Sequence, residues 1–583
     1  MIKLFKNLKT KEWIMIGISV VFVVLQVYLD LKLPDYMSQV TILVQTPGSE
    51  MKEILQQGGL MLLTVLGSVT TAVIVGYFAS SVASTFGATL RDKVFNQVDA
   101  FSMQELSNFS TASLITRTTN DVNQVQMVIT MGLQMMIKAP IMAIWAISKI
   151  YDKGIEWSLA TLVAVVVLVV VTSLTMLFTL PKFKKMQKLT DNINKVAREN
   201  LQGLRVVRAY NAEDYQNEKF EKVNEDLTQT QLFTSRAMSL MMPFISLIMS
   251  SVTLAIFWIG AILINEAAPM DSLTLFSNMV VFSSYAMQVI MSFMMLVVIF
   301  IMLPRANVSA QRIREVLDSV PLIVSGDVNE GLENLSGHVE FKNVSFKYPD
   351  ASDYVLDDIS FTVNQGETIA FIGSTGSGKS TLINLVPRFF DATVGQVLID
   401  GVDVKDYDLN ALYNKIGYVP QTAVLFSGTV ESNVNFGEGS YESTLDDIKE
   451  SIEIAQGKDF VENMPEQYES DIARGGKNIS GGQKQRLSIA RAINRKPEIF
   501  IFDDSFSALD YKTDRVLRTV LKEKTKGVTS MIVAQRIGTI MDADKIVVLD
   551  SGKIVGQGTH EELLKTCTVY QEIAHSQFNK EEL

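Results

Sequence analysis

Eight residues from Gly373 to Ser380 read GSTGSGKS, between the apolar run Thr368 to Ile372 and the helical pattern TLINLV. A strand, a Gly-rich loop and a helix in that order form a phosphate cradle. Gly373, Gly376 and Gly378 let the backbone amides turn inward, and Ser374, Thr375, Ser377 and Thr381 fall within the same turn. Lys379 is placed to neutralise β and γ phosphates, and Ser380 to ligate Mg2+. The bland alternative is a Gly-rich turn with no ligand. A second signal lies downstream, where the apolar strand Ile499 to Phe502 ends on two carboxylates, Asp503 and Asp504. Asp503 stands where a P-loop fold holds its magnesium. Tyr348, in FKYP, could stack on adenine, although an aromatic there is by itself more often packing.

These residues need elements to hold them, and 583 residues exceed one hydrophobic core. The first half carries apolar runs near the ~20 residues that cross a bilayer as helix. Six spans are predicted, at about Trp13 to Met37, Gly58 to Val82, Val125 to Ile147, Trp157 to Leu180, Met238 to Ile264 and Leu273 to Leu303. The first is too long for a secretory signal and lacks a small-residue cleavage site. Lysines before span 1 and basic residues in the even-numbered connections place both termini in the cytoplasm. The long connections, 84–122 and 181–236, are expected to extend the helices beyond the bilayer. The lone Cys567 suits a reducing compartment, and a net charge of -11 argues against nucleic acid as a partner.

Further motifs make the pattern specific. ISGGQ at Ile479 to Gln483 runs into KQRLSIARA, GYVPQ ends on Gln421, and SALD spans Ser507 to Asp510. With GSTGSGKS and FKYP in the same order, the chain resembles ATP-binding cassette (ABC) proteins of the exporter branch. The resemblance implies an all-α six-helix transmembrane domain at 1–317, a linker at 318–337 and an α/β P-loop cassette at 338–583. It implies ATP and Mg2+ as cofactors, with Tyr348, the loop residues 373–381, Ser480, Gly481, Gly482, Gln483 and Asp510 against nucleotide. Ser380, Gln421 and Asp503 would be the metal ligands. In this family two cassettes share each ATP, the P-loop of one facing the signature of the other. Coupling helices are expected near Leu106 to Leu114 and near Gly203 to Glu213.

The chain departs from the family at two catalytic positions. Asp504 replaces the usual catalytic Glu, and Gln535, in VAQR, replaces the switch His. The chain's three histidines, His338, His560 and His575, lie in no motif. One methylene retracts a carboxylate by about 1 Å, a displacement that can cost roughly 100-fold in rate. Gln offers hydrogen bonds but carries no proton. The P-loop is therefore expected to bind ATP and hydrolyse it slowly, with Asp504, Gln535 and Gln421 as its catalytic positions. The intact ISGGQ would complete a partner's site, as in the degenerate half of heterodimeric bacterial multidrug exporters. That implies a multi-pass plasma-membrane protein, a second half-transporter supplying Glu and His, and an amphipathic drug or lipid as cargo. A homodimeric exporter or flippase, and a regulatory subunit without turnover, are the alternatives. Arg474, where many exporters carry an acid, hints at asymmetric coupling. Within the spans, Asp30, Lys32, Asp35 and Lys138 are the ionisable residues of interest. Pairing with Lys32 or interfacial exposure of the two acids is expected over attraction of a cationic amphiphile, and the Met-rich last two spans are read as lipid-facing or helix-packing residues or a pliable pocket.

Overall fold

The computed structural model describes all residues except 1, 47, 152, 350, 438, 440 and 578–583, so the end of the expected cassette lies outside the described residues. It divides into two compact units: Met1–Asp99 with Thr111–Ser319, and Ala100–Ser110 with Val320–Leu583.

In the first unit, six helices among the described residues are long and apolar enough to cross a membrane. Spans 1 and 2 are Thr10–Gln45 and Met51–Asp99; spans 4 and 5 are Ile155–Gln202 and Glu213–Glu266. Span 6 lies within Pro269–Leu317. Span 3, Thr111–Tyr151, is broken by two π-helical turns, Arg117–Asp121 and Gly132–Met136. A short helix, Leu204–Ala209, joins spans 4 and 5, and another, Met103–Asn108, falls in the second unit.

An ion in hydrocarbon costs ~3 kcal/mol or more, and both acids of span 1 are ion-paired. Asp30 does not pair with Lys32 as expected. It meets Lys138 of span 3 at 2.9 Å and accepts from Ser68 of span 2, while Asp35 meets Lys149 at 2.9 Å. Lys32 instead lies over the Tyr28 ring. Lys32 follows Asp30 by two residues, about 200° around the helix, and so faces away from it, whereas a neighbouring span can bring its cation to face the acid. Tyr285 of span 6 donates to Asp35 at 2.6 Å and to the Leu31 carbonyl, which continues the ladder.

The second unit is a two-sheet cassette. An antiparallel sheet has order β2-β1-β4-β5, built from Val339–Phe346 (β1), Leu356–Val363 (β2), Val394–Ile399 (β4) and Val402–Asp403 (β5). A six-stranded sheet has order β12-β11-β3-β10-β9-β6, from Thr368–Gly373 (β3), Ile416–Val419 (β6), Ile499–Asp503 (β9), Thr529–Val533 (β10), Lys545–Asp550 (β11) and Lys553–Gly558 (β12). Gly428–Thr429 (β7) and Asp471–Ile472 (β8) pair separately. All neighbours in the six-stranded sheet are parallel except β11 and β12. Its central strands β9 and β10 are buried along their whole length, which explains their unbroken apolar runs. The segment read as a linker is bound along the cassette: Gly326 donates to the Tyr407 carbonyl and Leu332 to that of Asp400.

Candidate functional site

Strand register assembles one corner of the cassette. Val533 of β10 sits opposite Phe371 of β3 on one side and Asp503 of β9 on the other. The C-terminal ends of all three strands therefore lie abreast. There they release the Gly-rich loop, the Asp503–Asp504 pair and Gln535, at the edge where ligands bind in open parallel sheets.

The loop demands glycine at specific points. A Cβ on Gly373 would lie 2.0 Å from the Leu549 carbonyl oxygen, and Gly378 has φ +97 with Leu356 and Val355 against it. A helix, Lys379–Asn384, starts at once after Gly378, so its free amides point into the loop. Lys379 is buried and folds back over the loop, its Nζ donating to the carbonyls of Gly373 at 2.9 Å and Ser374 at 2.7 Å and to Ser377 Oγ at 3.3 Å. Burial pushes its pKa down, while Asp504 and Asp503 push it up. Ser374, Thr375 and Gly376 face solvent, whereas Ser377 and Thr381 are buried.

Ser380 Oγ donates to Asp503 Oδ1 at 2.9 Å. Burial, and then the neighbouring Asp504 charge, raise the Asp503 pKa against the Ser380 hydrogen bond and Lys379. A hydroxyl and a carboxylate sharing a buried, anionic corner form a hard-oxygen donor set, which fits Mg2+. Asp504 is also buried, and it holds a left-handed backbone at φ 46. Its Oδ2 accepts from Gln535 Nε2 at 2.9 Å and from Gln421 Nε2 at 3.3 Å. Burial raises its pKa too, opposed by hydrogen bonds from Gln421 and Ser507. Tyr348 leaves its ring partly exposed, braced edge-on by Phe346 and Phe390 at 5.0 and 5.4 Å, with its hydroxyl 3.1 Å from Thr381 Oγ1. An exposed, braced ring is suited to stacking.

Ser480, Gly481, Gly482, Gln483 and Asp510 do not join this network. Ser480 caps the helix Gly481–Asn494 and exchanges hydrogen bonds with Gln483. Gly481 has nothing within 4 Å of a Cβ position among the described residues. Asp510 caps the following helix through the Thr513 amide.

Three supporting residues escaped the motif reading. Gln577, in the last described helix, donates to the Gln535 carbonyl at 2.7 Å and accepts from the Ile537 amide at 2.8 Å, fixing the switch loop from both sides. Gln485 ties the signature helix to the Pro420 carbonyl at 3.2 Å, beside Gln421. Arg491 lies over Phe426 and Phe436 and donates to the carbonyls of Asn433 and Val424. Only the signature stretch KQRLSIARA, which contains Gln485 and Arg491, offered a hint of either.

Six apolar helices and a P-loop sheet with these loops define a multi-pass membrane ATPase of the cassette class. Residues 14–293 match the family model described as ABC transporter transmembrane region, and residues 356–507 that described as ABC transporter. The chain is 38% identical over 522 residues to an uncharacterized ABC transporter ATP-binding protein of Mycobacterium tuberculosis (strain ATCC 25618 / H37Rv), covering 89% of this chain and 87% of that one. It is 32% identical over 515 residues to an ATP-dependent lipid A-core flippase of Syntrophus aciditrophicus (strain SB), covering 87% and 84%. A solved structure of a bacterial Atm1-family ABC exporter with ATP bound aligns with a TM-score of 0.81 at 23% identity, over 96% of this chain and 98% of that one. The chain belongs to the ABC transporter family, as an ATP-driven transporter with an exporter fold.

Proposed function

We propose that this chain is one half of a heterodimeric exporter, whose own P-loop holds ATP and turns it over slowly while its ISGGQ motif completes the partner's site. The observation that carries the reading is the tether on Asp504, whose Oδ2 is engaged by Gln535 at 2.9 Å and Gln421 at 3.3 Å. A general base must aim a free lone pair at the attacking water. Here the shorter carboxylate is turned toward two amides, and neither amide can relay a proton.

In this reading the loop amides and Lys379 bind the phosphates, Tyr348 stacks on the base, and Ser380 and Asp503, with Gln421 beside them, hold Mg2+. The metal when bound supplies positive charge to the β and γ oxygens. Ser480 to Gln483 and Asp510, of which Ser480, Gly481 and Asp510 are open to solvent, serve the nucleotide of the partner. The membrane domain comprises 1–317 and the cassette 338–583, joined by 318–337. Both termini face the cytoplasm of a bacterial cell, as the basic residues flanking the spans favour. Cargo is an amphipathic drug or lipid, a class consistent with the flippase among the relatives.

ATP hydrolysis by the reconstituted chain, alone and with a second half-transporter that carries Glu and His, tests the reading. Asp504→Glu with Gln535→His should raise turnover by the isolated chain at least ~10-fold, within the ~100-fold that a 1 Å displacement can cost. Robust turnover by the unaltered chain alone would sink it in favour of a homodimer.

A further inference from the structure

Two cavities lie beside the N-terminal end of span 1 and share one wall residue. One, of about 940 Å³, is walled by Phe5, Trp13, Val82, Leu133, Met136 and Leu303, with the π-turn Gly132–Met136 forming part of its side. That is within the roughly 300–1,000 Å³ usual for ligand pockets. The other, of about 500 Å³, is lined by Lys3, Lys6, Lys93 and Arg314, with Asn96 and a single acid, Asp318. Lys3 lines both. The basic cavity is built rather than incidental. Its lip, the N-terminal 3-10 helix Ile2–Asn7, is fixed by buried Leu4 and by Lys93 Nζ donating to Asn7 Oδ1 at 2.8 Å. Arg314 reaches Asp318 at 3.4 Å through Nη2, while its Nε is buried with no hydrogen-bond acceptor among the described residues.

An apolar chamber joined to a cationic one, with a buried N–H donor still to be satisfied, matches a molecule that is greasy at one end and anionic at the other. We propose that Lys3, Lys6, Lys93 and Arg314 bind the phosphate of an anionic phospholipid from the leaflet at the N-terminal end of span 1, with its acyl chains in the adjoining apolar cavity. Basic residues at this end of a span also orient it in the membrane. Orientation, however, requires neither the apolar chamber nor the buried Arg314 donor. The site uses no residue of the nucleotide corner, so it stands apart from the proposed slow P-loop.

The test uses the full chain in mild detergent, titrated with phosphatidylglycerol or with phosphatidylcholine of the same acyl chains and read by native mass spectrometry. The unaltered chain should retain phosphatidylglycerol at least ~10-fold better, since each basic group near a headgroup contributes appreciably. K3Q/K93Q/R314Q should erase that preference and K3R/K93R/R314K should keep it, with ATP binding unchanged in both as evidence of folding. Equal retention of the two lipids by the unaltered chain, or an undiminished preference in the Gln variant, overturns the proposal. Displacement of the lipid by an equal concentration of glycerol phosphate also overturns it, because the site would then be one for phosphate alone.

Discussion

The P-loop corner and the signature helix are parts of one cassette, yet they treat their polar groups in opposite ways. At the corner nearly every functional atom is engaged inside the fold: Lys379 on loop carbonyls, Ser380 on Asp503, and both Gln421 and Gln535 on Asp504. At the signature, Ser480 and Gln483 bond, among the described residues, within their own cap, and Ser480 and Gly481 face solvent. A buried carboxylate or ammonium cannot be left unpaired without a penalty of several kcal/mol, so the corner must satisfy itself. Exposed amides and hydroxyls are satisfied by water and can wait for another surface. The contrast separates a site held by this chain from half a site offered elsewhere.

Four substitutions would break or sharpen the contrast. The largest effect is expected from Ser480→Arg, which should lower ATP turnover by the assembled pair roughly 100-fold, as loss of a preorganised phosphate donor does. Photolabelling at this chain's own P-loop should be unaffected; if it falls in parallel, the two regions are not separate. Lys379→Ala should do the converse and weaken ATP binding to the isolated chain about 10-fold to 100-fold, equivalent to the ~1.5–3 kcal/mol of a charged hydrogen bond. Isothermal titration measures this, and unchanged affinity would mean that Lys379 stays on its carbonyls when nucleotide binds.

Smaller effects come from the supports. Gln577→Ala removes two bonds to the switch loop at about 0.5–1.5 kcal/mol each, so amide exchange near Ile537 should quicken roughly 10-fold with little change in Tm. No change in exchange would show that the helix does not hold the loop. Asp504→Asn tests the electrostatics of the corner in the nucleotide-free chain. Burial raises the Asp504 pKa above 3.8, so the stability linked to its protonated form is complete below 3.8 and lost as pH rises through the folded value. At pH 7 the Asn variant should therefore melt higher by at most a few degrees, and the gap should close toward pH 4. A gap that is constant with pH would exclude a charge effect.

Much of this arrangement was legible as local pattern. GSTGSGKS, the strand ending at Asp503, and six apolar runs each carry their evidence within about twenty residues, because a glycine turn, a buried strand and a bilayer-length helix are short-range requirements. The π-helical turns of span 3 left no comparable mark, since Arg117–Asp121 and Gly132–Met136 contain no Pro. The partners of Asp30 and Asp35 leave no local mark, because Lys138 and Lys149 lie more than a hundred residues away along the chain. Glu105 shows the same blindness: it is buried and accepts from the Leu322 amide, 217 residues further on. Gln577 gave no signal, being one amide in a C-terminal helix with ordinary composition.

The sequence by itself determined the kind of chemistry available, for residue types and short spacings decide whether a loop can cradle phosphate and whether a carboxylate is one methylene short. It also determined that the chain crosses a membrane, which depends only on the length and polarity of its runs. The tertiary structure decided where the satisfied and unsatisfied groups fall. Parallel register set Asp503, Asp504 and Gln535 on one edge, helix packing chose Lys138 over Lys32, and the meeting of the N-terminal helix with spans 1, 2, 3 and 6 placed a basic cavity beside an apolar one. Each of those outcomes depends on the free energy of burying a polar group, and that is fixed only when distant segments come together to exclude water.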